Sequence, residues 1–338
     1  MEHNIRVDDF TGLQRLGLAT LPTPFEHAPR LAEAVGAGTL WIKREDLSGY
    51  ALGGNKLRQI DFIAADAIGS GADILISTAG SQSNFCRSLA GAAARLGIAC
   101  HLHLRSKMGT QKTGNLLLDD ILGARVTFTD HADPWDPRIL AELDDIATQY
   151  RDQGQKPAII QLTGSSASLG VAGWVSGARE LVDDFARMGS TPTIMVAVCG
   201  SGLTLAGLVL GFKLLNCPTR MVGISAQQPA ARLTQWIIKS ADQCARDLGL
   251  SARVDANDFD IIDSAIDPGY GIASRESIDA VRLAGATQGL ILDPIYTGKG
   301  LAGLRSALEA GHYGDHPDVV FLHSGGTPNV FTHANRFA

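Results

Sequence analysis

The chain has no CxxC pair, and its five cysteines (Cys86, Cys100, Cys199, Cys217 and Cys244) are odd in number and widely spaced. A disulfide framework or zinc knuckle is excluded on that arithmetic, and reduced thiols are expected. Runs of like charge are also missing. Lys and Arg total 29 against 35 Asp and Glu, for a formal charge of −6, with no basic face for nucleic acid or an anionic membrane. No uninterrupted apolar stretch reaches bilayer-spanning length, and MEHNIRVDDFTGLQRLG is acidic and polar where a secretory leader would be basic, then apolar. The chain is expected in the cytoplasm, without membrane or nucleic-acid partners. His101 and His103 in IACHLHLRS fall on one face of a strand by alternation, but no HExxH accompanies them and no metal site is expected. Internal repeats, low-complexity segments and linkers are absent too.

What is present is an ordinary globular composition, 45% hydrophobic and 19% charged over 338 residues, long enough for two domains with substantial cores. From residue 39 onward, short Val- and Ile-rich runs alternate with longer amphipathic segments, the pattern of parallel sheets with helices on both faces. Strands are expected at TLWIKRED, ADILIST, IACHLHL, ARVTFTD, AIIQLTG, TIMVAVCG, MVGISAQ and DVVFLHSGG. Helices are expected near 55–70, 82–96, 112–122, 136–153, 169–187, 203–215, 229–247, 274–288 and 299–311. The fold class is therefore α/β, with two doubly wound domains and the smaller inserted in the larger. The larger takes residues 1–58 and 167–338, the smaller 59–166.

In open parallel sheets, ligands bind beyond the carboxyl ends of strands. Four loops in that position stand out: GGNK, TAGSQSN, CGSGLTLAG and HSGGTP. Gly200, Ser201, Gly202, Leu203 and Thr204 join an apolar strand to a helix, where glycine backbone, hydroxyls and the helix N-terminus suit a phosphate. The turn lacks the Gly-Lys-Ser/Thr ending of a nucleotide P-loop and the full dinucleotide GxGxxG; alone, it could be a plain structural turn. Ser83 and Asn84 in GSQSN read equally as helix caps and as ligands of a carboxylate. Lys56 sits in SGYALGGNKLRQI at a helix start, where a cation is disfavoured and a solvated surface residue is the bland alternative. Held there among glycines, it would have a lowered pKa and a populated neutral amine, as an imine-forming nucleophile requires. With a phosphate cradle in the same chain, the aldehyde that fits is pyridoxal 5′-phosphate.

These motifs, in this order from LPTPFEHAPRLAEAVG through KREDLSGYALGGNKLRQ, GSQSNFCR, CGSGLTLAGLVLGF, PGYG and LDPIYTGKG to HSGGTP, resemble the pyridoxal-phosphate enzymes of the tryptophan synthase β type (fold type II). Within them the likeness is to the D-cysteine desulfhydrase and 1-aminocyclopropane-1-carboxylate (ACC) deaminase group. The resemblance implies that Lys56 carries the cofactor through an imine and serves as general base. Asn84 would bond the ring hydroxyl oxygen, and residues 200–204 the phosphate. Ser83, Asn84, Phe85 and Ser166 would contact a small amino-acid substrate, while Ser83, Tyr270 and Tyr296 would join Lys56 in catalysis; from spacing alone the tyrosines could be core aromatics. Thr297 and Ser324 stand where ACC deaminases carry glutamate and leucine and desulfhydrases carry hydroxyls, so the expected reaction is α,β-elimination to a 2-oxo acid and ammonia. ACC deamination, another lyase such as a cysteate sulfo-lyase, a racemase and a non-catalytic phosphate-ligand binder are the alternatives. Phe85 replaces a residue commonly polar in the group, and Ser168 replaces a proline. A homodimer is implied.

Overall fold

The structure, a computed structural model, describes residues 5–106, 110–131 and 133–338. Short strands β1 (Arg6–Val7) and β2 (Gln14–Arg15) pair with each other, followed by β3 (Phe25–His27), α1 (Pro29–Val35) and β4 (Thr39–Arg44). Next come α2 (Lys56–Gly69), β5 (Ile74–Gly80), α3 (Asn84–Leu96), β6 (Ala99–Arg105), α4 (Gly114–Ile121), β7 (Arg125–Thr129), α5 (Pro137–Asp152) and β8 (Pro157–Ile160). The remainder is α6 (Ala167–Met188), β9 (Ile194–Cys199), α7 (Leu203–Leu214), β10 (Arg220–Ser225), α8 (Ala230–Asp247), β11 (Phe259–Ile262), α9 (Arg275–Gln288), α10 (Thr297–Glu309), β12 (Asp318–His323) and α11 (Pro328–Thr332).

Two sheets result. The larger runs β11-β10-β9-β12-β4-β3, parallel except for β3, and the smaller runs β7-β6-β5-β8, parallel throughout. Strand β9 shows why its sequence is almost uninterruptedly apolar. Met195, Ala197 and Cys199 enter the core under α6, α7 and α8, while Ile194 and Val196 enter the core on the opposite face. A strand covered on both sides has no polar face to alternate with. The smaller sheet has its own core, built from Leu75, Leu89, Leu102 and Leu104 together with Ile60, Ile63 and Ala64 of α2. Leu16 and Leu18, which precede α2, join the same core.

The elements outside the expected alternation are β1, β2, β3, α1, β11 and α11. The strands among them span two to four residues, too few to express a period of two, and β3 lies antiparallel at a sheet edge. His101 and His103 do share a face: both rings meet the Thr127 hydroxyl, and His103 also reaches Glu142.

A buried ion cluster fixes the start of α2. Arg58 forks onto Glu45 at 2.9 and 2.8 Å and onto Glu180 at 3.0 and 2.8 Å, with its guanidinium over the Trp174 ring. Lys43 completes the cluster, bonding Asp184 and Glu180 at 2.6 and 2.5 Å. Burial alone would raise the Glu180 carboxyl, but Arg58 and Lys43 hold it well below the usual range. Bidentate pairing satisfies charges that would otherwise be costly to bury, and removing one partner strands the rest. Glu45→Ala should therefore lower unfolding free energy by about 3 kcal/mol, read from urea denaturation. A loss below about 1 kcal/mol would mean that the cluster tolerates an unpaired arginine.

Candidate active site

The carboxyl ends of β5, β6, β9, β10 and β12 converge on one cavity of about 540 Å³, within the range of small-ligand sites. Lys56, Ser83, Asn84, Phe85, Gly200, Ser201, Tyr270, Tyr296 and Ser324 all line it. Residues from positions 56 to 324 thus meet on a single surface, as the strand-end rule predicts. Gly202, Leu203, Thr204 and Thr297 stand behind this wall. Ser166 lies apart, facing a separate, smaller cavity beside Lys156 and Ser165.

Lys56 reaches the cavity through a turn that only glycine permits. Gly53 has φ +58°, and a Cβ there would strike the Asp46 carbonyl. The next amides are pinned: Gly54 N–H donates to Glu45 O at 2.8 Å and Asn55 N–H to Ser324 O at 3.0 Å. Asn55 also donates its side-chain amide to Thr204 Oγ1 at 2.9 Å, and its carbonyl accepts from the Trp174 indole at 3.2 Å. The lysine that follows is held between α6, α7 and the end of β12.

Among the described residues two lysines are fully buried, and both have partners. Lys43 is ion-paired, and Lys299 donates to the carbonyls of Ile266 and Gly269 at 2.8 and 3.1 Å. Lys56 has no carboxylate beside it among the described residues, and burial lowers its pKa to about 8. The nearby Cys199 thiol cannot supply a counter-charge, because burial pushes it up to about 12.

Ser83 caps α3 by accepting from Cys86 N–H at 3.2 Å, leaving the helix start open to the cavity. Asn84 is oriented from behind. Asn115 of α4 donates its amide to Asn84 Oδ1 and to the Gln82 carbonyl, each at 2.9 Å. With its oxygen engaged, Asn84 is left with N–H groups to offer a ligand. On the facing wall, a Cβ on Gly200 would lie 3.0 Å from the Tyr296 ring. Bare backbone there lets the start of α7 approach a ligand. The indole of Trp236 donates to Ser201 O at 2.9 Å and steadies this turn.

Tyr270 and Tyr296 share a hydrogen bond of 2.7 Å between hydroxyls. Burial, with Tyr270 alongside, raises the Tyr296 phenol well above its ordinary value. Asp293 shapes the Tyr296 loop by accepting from the backbone of Ile295, Tyr296 and Thr297, and Thr297 turns its hydroxyl to the same carboxylate at 2.9 Å. Thr297 is therefore fully buried, whereas Ser324 faces the cavity.

Residues 16–325 match the family model described as pyridoxal-phosphate dependent enzyme. The chain belongs to this family. Among its relatives, the D-cysteine desulfhydrase of Salmonella choleraesuis (strain SC-B67) is 35% identical over 96% of this chain and 97% of that protein, and that of Salmonella typhi is equally similar. A crystal structure of an ACC deaminase homologue superposes with a TM-score of 0.86 at 30% identity, covering 96% of this chain and 95% of that one. Escherichia coli diaminopropionate ammonia lyase shares the fold, with a TM-score of 0.64 at 17% identity over 94% and 86% of the two chains.

The donor set of this pyridoxal-phosphate dependent enzyme fits the cofactor. An unpaired amine, an amide with free N–H groups and a glycine-opened helix start all face one cavity. Several contributors were missed in the sequence. Asn115 lies on a helix without any motif, and Asp293 and Lys299 act only through the loops they brace. Gln227 and Gln228 after β10, and Arg105 at the end of β6, do line the cavity; their positions beyond strand ends were the available signal.

Asn115→Ala should weaken cofactor binding about tenfold by freeing the Asn84 amide to rotate, measured by titrating apo-protein with pyridoxal 5′-phosphate and following the visible imine band. The rate of that capture should climb about tenfold per pH unit below about 8 and level off above it, since only the neutral Lys56 amine attacks. A rate still rising steeply at about pH 10, the range of an ordinary lysine, would contradict the lowered pKa.

Proposed function

We propose that the chain is a lyase that removes the β-substituent of a small amino acid and releases a 2-oxo acid and ammonia, with D-cysteine, the substrate named for its Salmonella relatives, as first candidate. The observation that carries this reading is the Lys56 amine, partly buried without a carboxylate partner among the described residues, in the cavity that Ser83, Asn84 and Gly200 also line. When bound, pyridoxal 5′-phosphate supplies an electron sink for the carbon next to the substrate amine.

The chain's own residues do the rest. Lys56 would hold the cofactor's aldehyde group, and its Nζ would accept the substrate's α-proton. The start of α3, with Ser83, holds the substrate carboxylate. Asn84 donates toward the ring hydroxyl oxygen. The backbone of residues 200–204 takes the phosphate, Gly200 and Ser201 at the cavity wall and Gly202, Leu203 and Thr204 behind it. Tyr296, held protonated by its burial, donates a proton or hydrogen bond to the departing group, and Tyr270 orients it through their shared hydrogen bond. Phe85 closes the pocket with an apolar wall. Neither Thr297 nor Ser324 brings a carboxylate to the ring nitrogen, which favours expulsion of a good leaving group over opening of a cyclopropane. A substrate role for Ser166 would need a contact beyond the cavity it faces.

Cytoplasmic residence and a homodimer belong to the same proposal. Five free cysteines accord with a reducing compartment, and the dimer rests on the family resemblance. No helix among the described residues is long and apolar enough to cross a membrane.

The holoenzyme should release pyruvate, sulfide and ammonia from D-cysteine, and Lys56→Ala should lower kcat by about 1,000-fold or more. Borohydride reduction followed by peptide mapping should place the pyridoxyl tag on Lys56. A tag on another lysine, or a variant of undiminished rate, would overturn the assignment.

A further inference from the structure

Helix α3 carries Arg87, Gly91 and Arg95 at intervals of four, so they lie on one face, each a turn beyond the last. All three meet the loop of residues 50–54 that leads into Lys56. Arg87 Nη2 donates to the Gly53 carbonyl at 2.7 Å. Gly91 lets the helix close on the loop, since a Cβ there would lie 2.7 Å from Ala51 Cβ and 2.9 Å from the Tyr50 ring. Arg95 places its guanidinium 5.3 Å from the centre of that ring. The start of the same helix, at Ser83 and Asn84, opens on the cavity about one turn before Arg87.

Arg87 is fully buried, and the Gly53 carbonyl is its one close hydrogen-bond partner, with Ser88 Oγ farther off at 3.4 Å. Its Nε and Nη1 have no partner among the described residues. Nor do the carboxylate oxygens of Asp119, the buried acid of α4 whose charge acts on it. Charged groups bonded this sparsely are costly to bury, and apolar side chains of similar volume would pack there at lower cost. A hydrocarbon could not grip a backbone carbonyl, however. Gly53 and Gly54 sit at φ +58° and +114°, so this turn has no side chain of its own to anchor it. The carbonyl three residues before Lys56 is held by α3 instead.

Resting on the elimination reading above, in which the start of α3 holds the substrate carboxylate, we infer that Arg87 is a positioning residue for the reaction. It ties the turn before Lys56 to the helix that holds the substrate, so one element places both the base and the carbon it deprotonates. Without the tie, substrate and cofactor still bind, but Lys56 Nζ stands off the α-proton. Misplacing a reacting group by about 1 Å can lower a rate about 100-fold.

The test compares holoenzyme of the wild type, Arg87→Met, Arg87→Lys and Gly91→Ala at a temperature where circular dichroism shows each to be folded. With D-cysteine, Arg87→Met should lower kcat about 100-fold and change KM by less than about threefold. Arg87→Lys, which keeps a donor for Gly53, should recover about tenfold of that loss. Gly91→Ala leaves Arg87 in place but wedges the loop away, and should lower kcat about tenfold with the same small change in KM; these two variants carry the comparison should Arg87→Met not fold. D-Alanine has no leaving group and isolates the proton step: exchange of its α-proton in D2O should slow in parallel with kcat. Amide hydrogen exchange adds a readout free of turnover. Propanoate, a carboxylate without an amine, should slow exchange in residues 50–55 of the wild type at least about threefold and leave it unchanged in Arg87→Met. Pyruvate from D-cysteine at a kcat indifferent to residues 87 and 91, or propanoate protection that persists in Arg87→Met, would overturn the positioning role and leave the lyase reading standing. Propanoate protection and D-alanine exchange that both depend on Arg87, with no pyruvate from D-cysteine, would overturn the lyase reading and keep the positioning role.

Discussion

Keeping the Lys56 amine out of water with no carboxylate beside it costs free energy, and much of the larger unit is arranged to enforce it. The ion cluster of Arg58, Glu45, Glu180 and Lys43 ties α2 to α6 two residues beyond the lysine. The Gly53–Gly54 turn and the Asn55 contacts to Ser324, Thr204 and Trp174 then fix the residue just before it. The polar groups of Asn55 are thereby bonded to other protein groups, whereas the Lys56 amine has no carboxylate beside it among the described residues. The contrast with Lys43 and Lys299, more deeply buried and bonded to protein groups, is what sets Lys56 apart.

The remaining site residues are likewise held from behind. Asn115 sets the face Asn84 presents, Trp236 holds the Ser201 carbonyl, and Asp293 gathers three backbone amides of the loop that carries Tyr296. Lys299 binds the carbonyls of Ile266 and Gly269, so the loop bearing Tyr270 is anchored at both sides of its proline. Positioning groups of this kind fix orientation without touching a ligand.

The alternation of buried strands and amphipathic helices was legible in the sequence because β5, β6, β9, β10 and β12 are apolar runs of six or seven residues bounded by loops. The strand-end rule then led to GGNK, GSQSN, GSGLT and HSGG, and the structure brings all four loops to one cavity or the layer behind it. Short edge strands such as β3 and β11 were not legible, since pairing rather than periodicity creates them. Thr297 and Ser166 mark a further limit: a side chain's position in a motif does not reveal which way it turns. Thr297 spends its hydroxyl on Asp293, a choice made by a loop conformation that the sequence encodes only through long-range contacts.

The cavity wall is shared between the two sheets. Lys56, Gly200, Ser201 and Ser324 belong to the larger, whereas Ser83, Asn84, Phe85 and Arg105 extend from the smaller. In the function proposed above, the lysine and the phosphate turn would therefore come from one side of the cavity, and Ser83, Asn84 and Phe85 from the other. A substitution at Phe85 would thus alter the cavity from the side of the smaller sheet while leaving Lys56 and the turn at Gly200 and Ser201 in place.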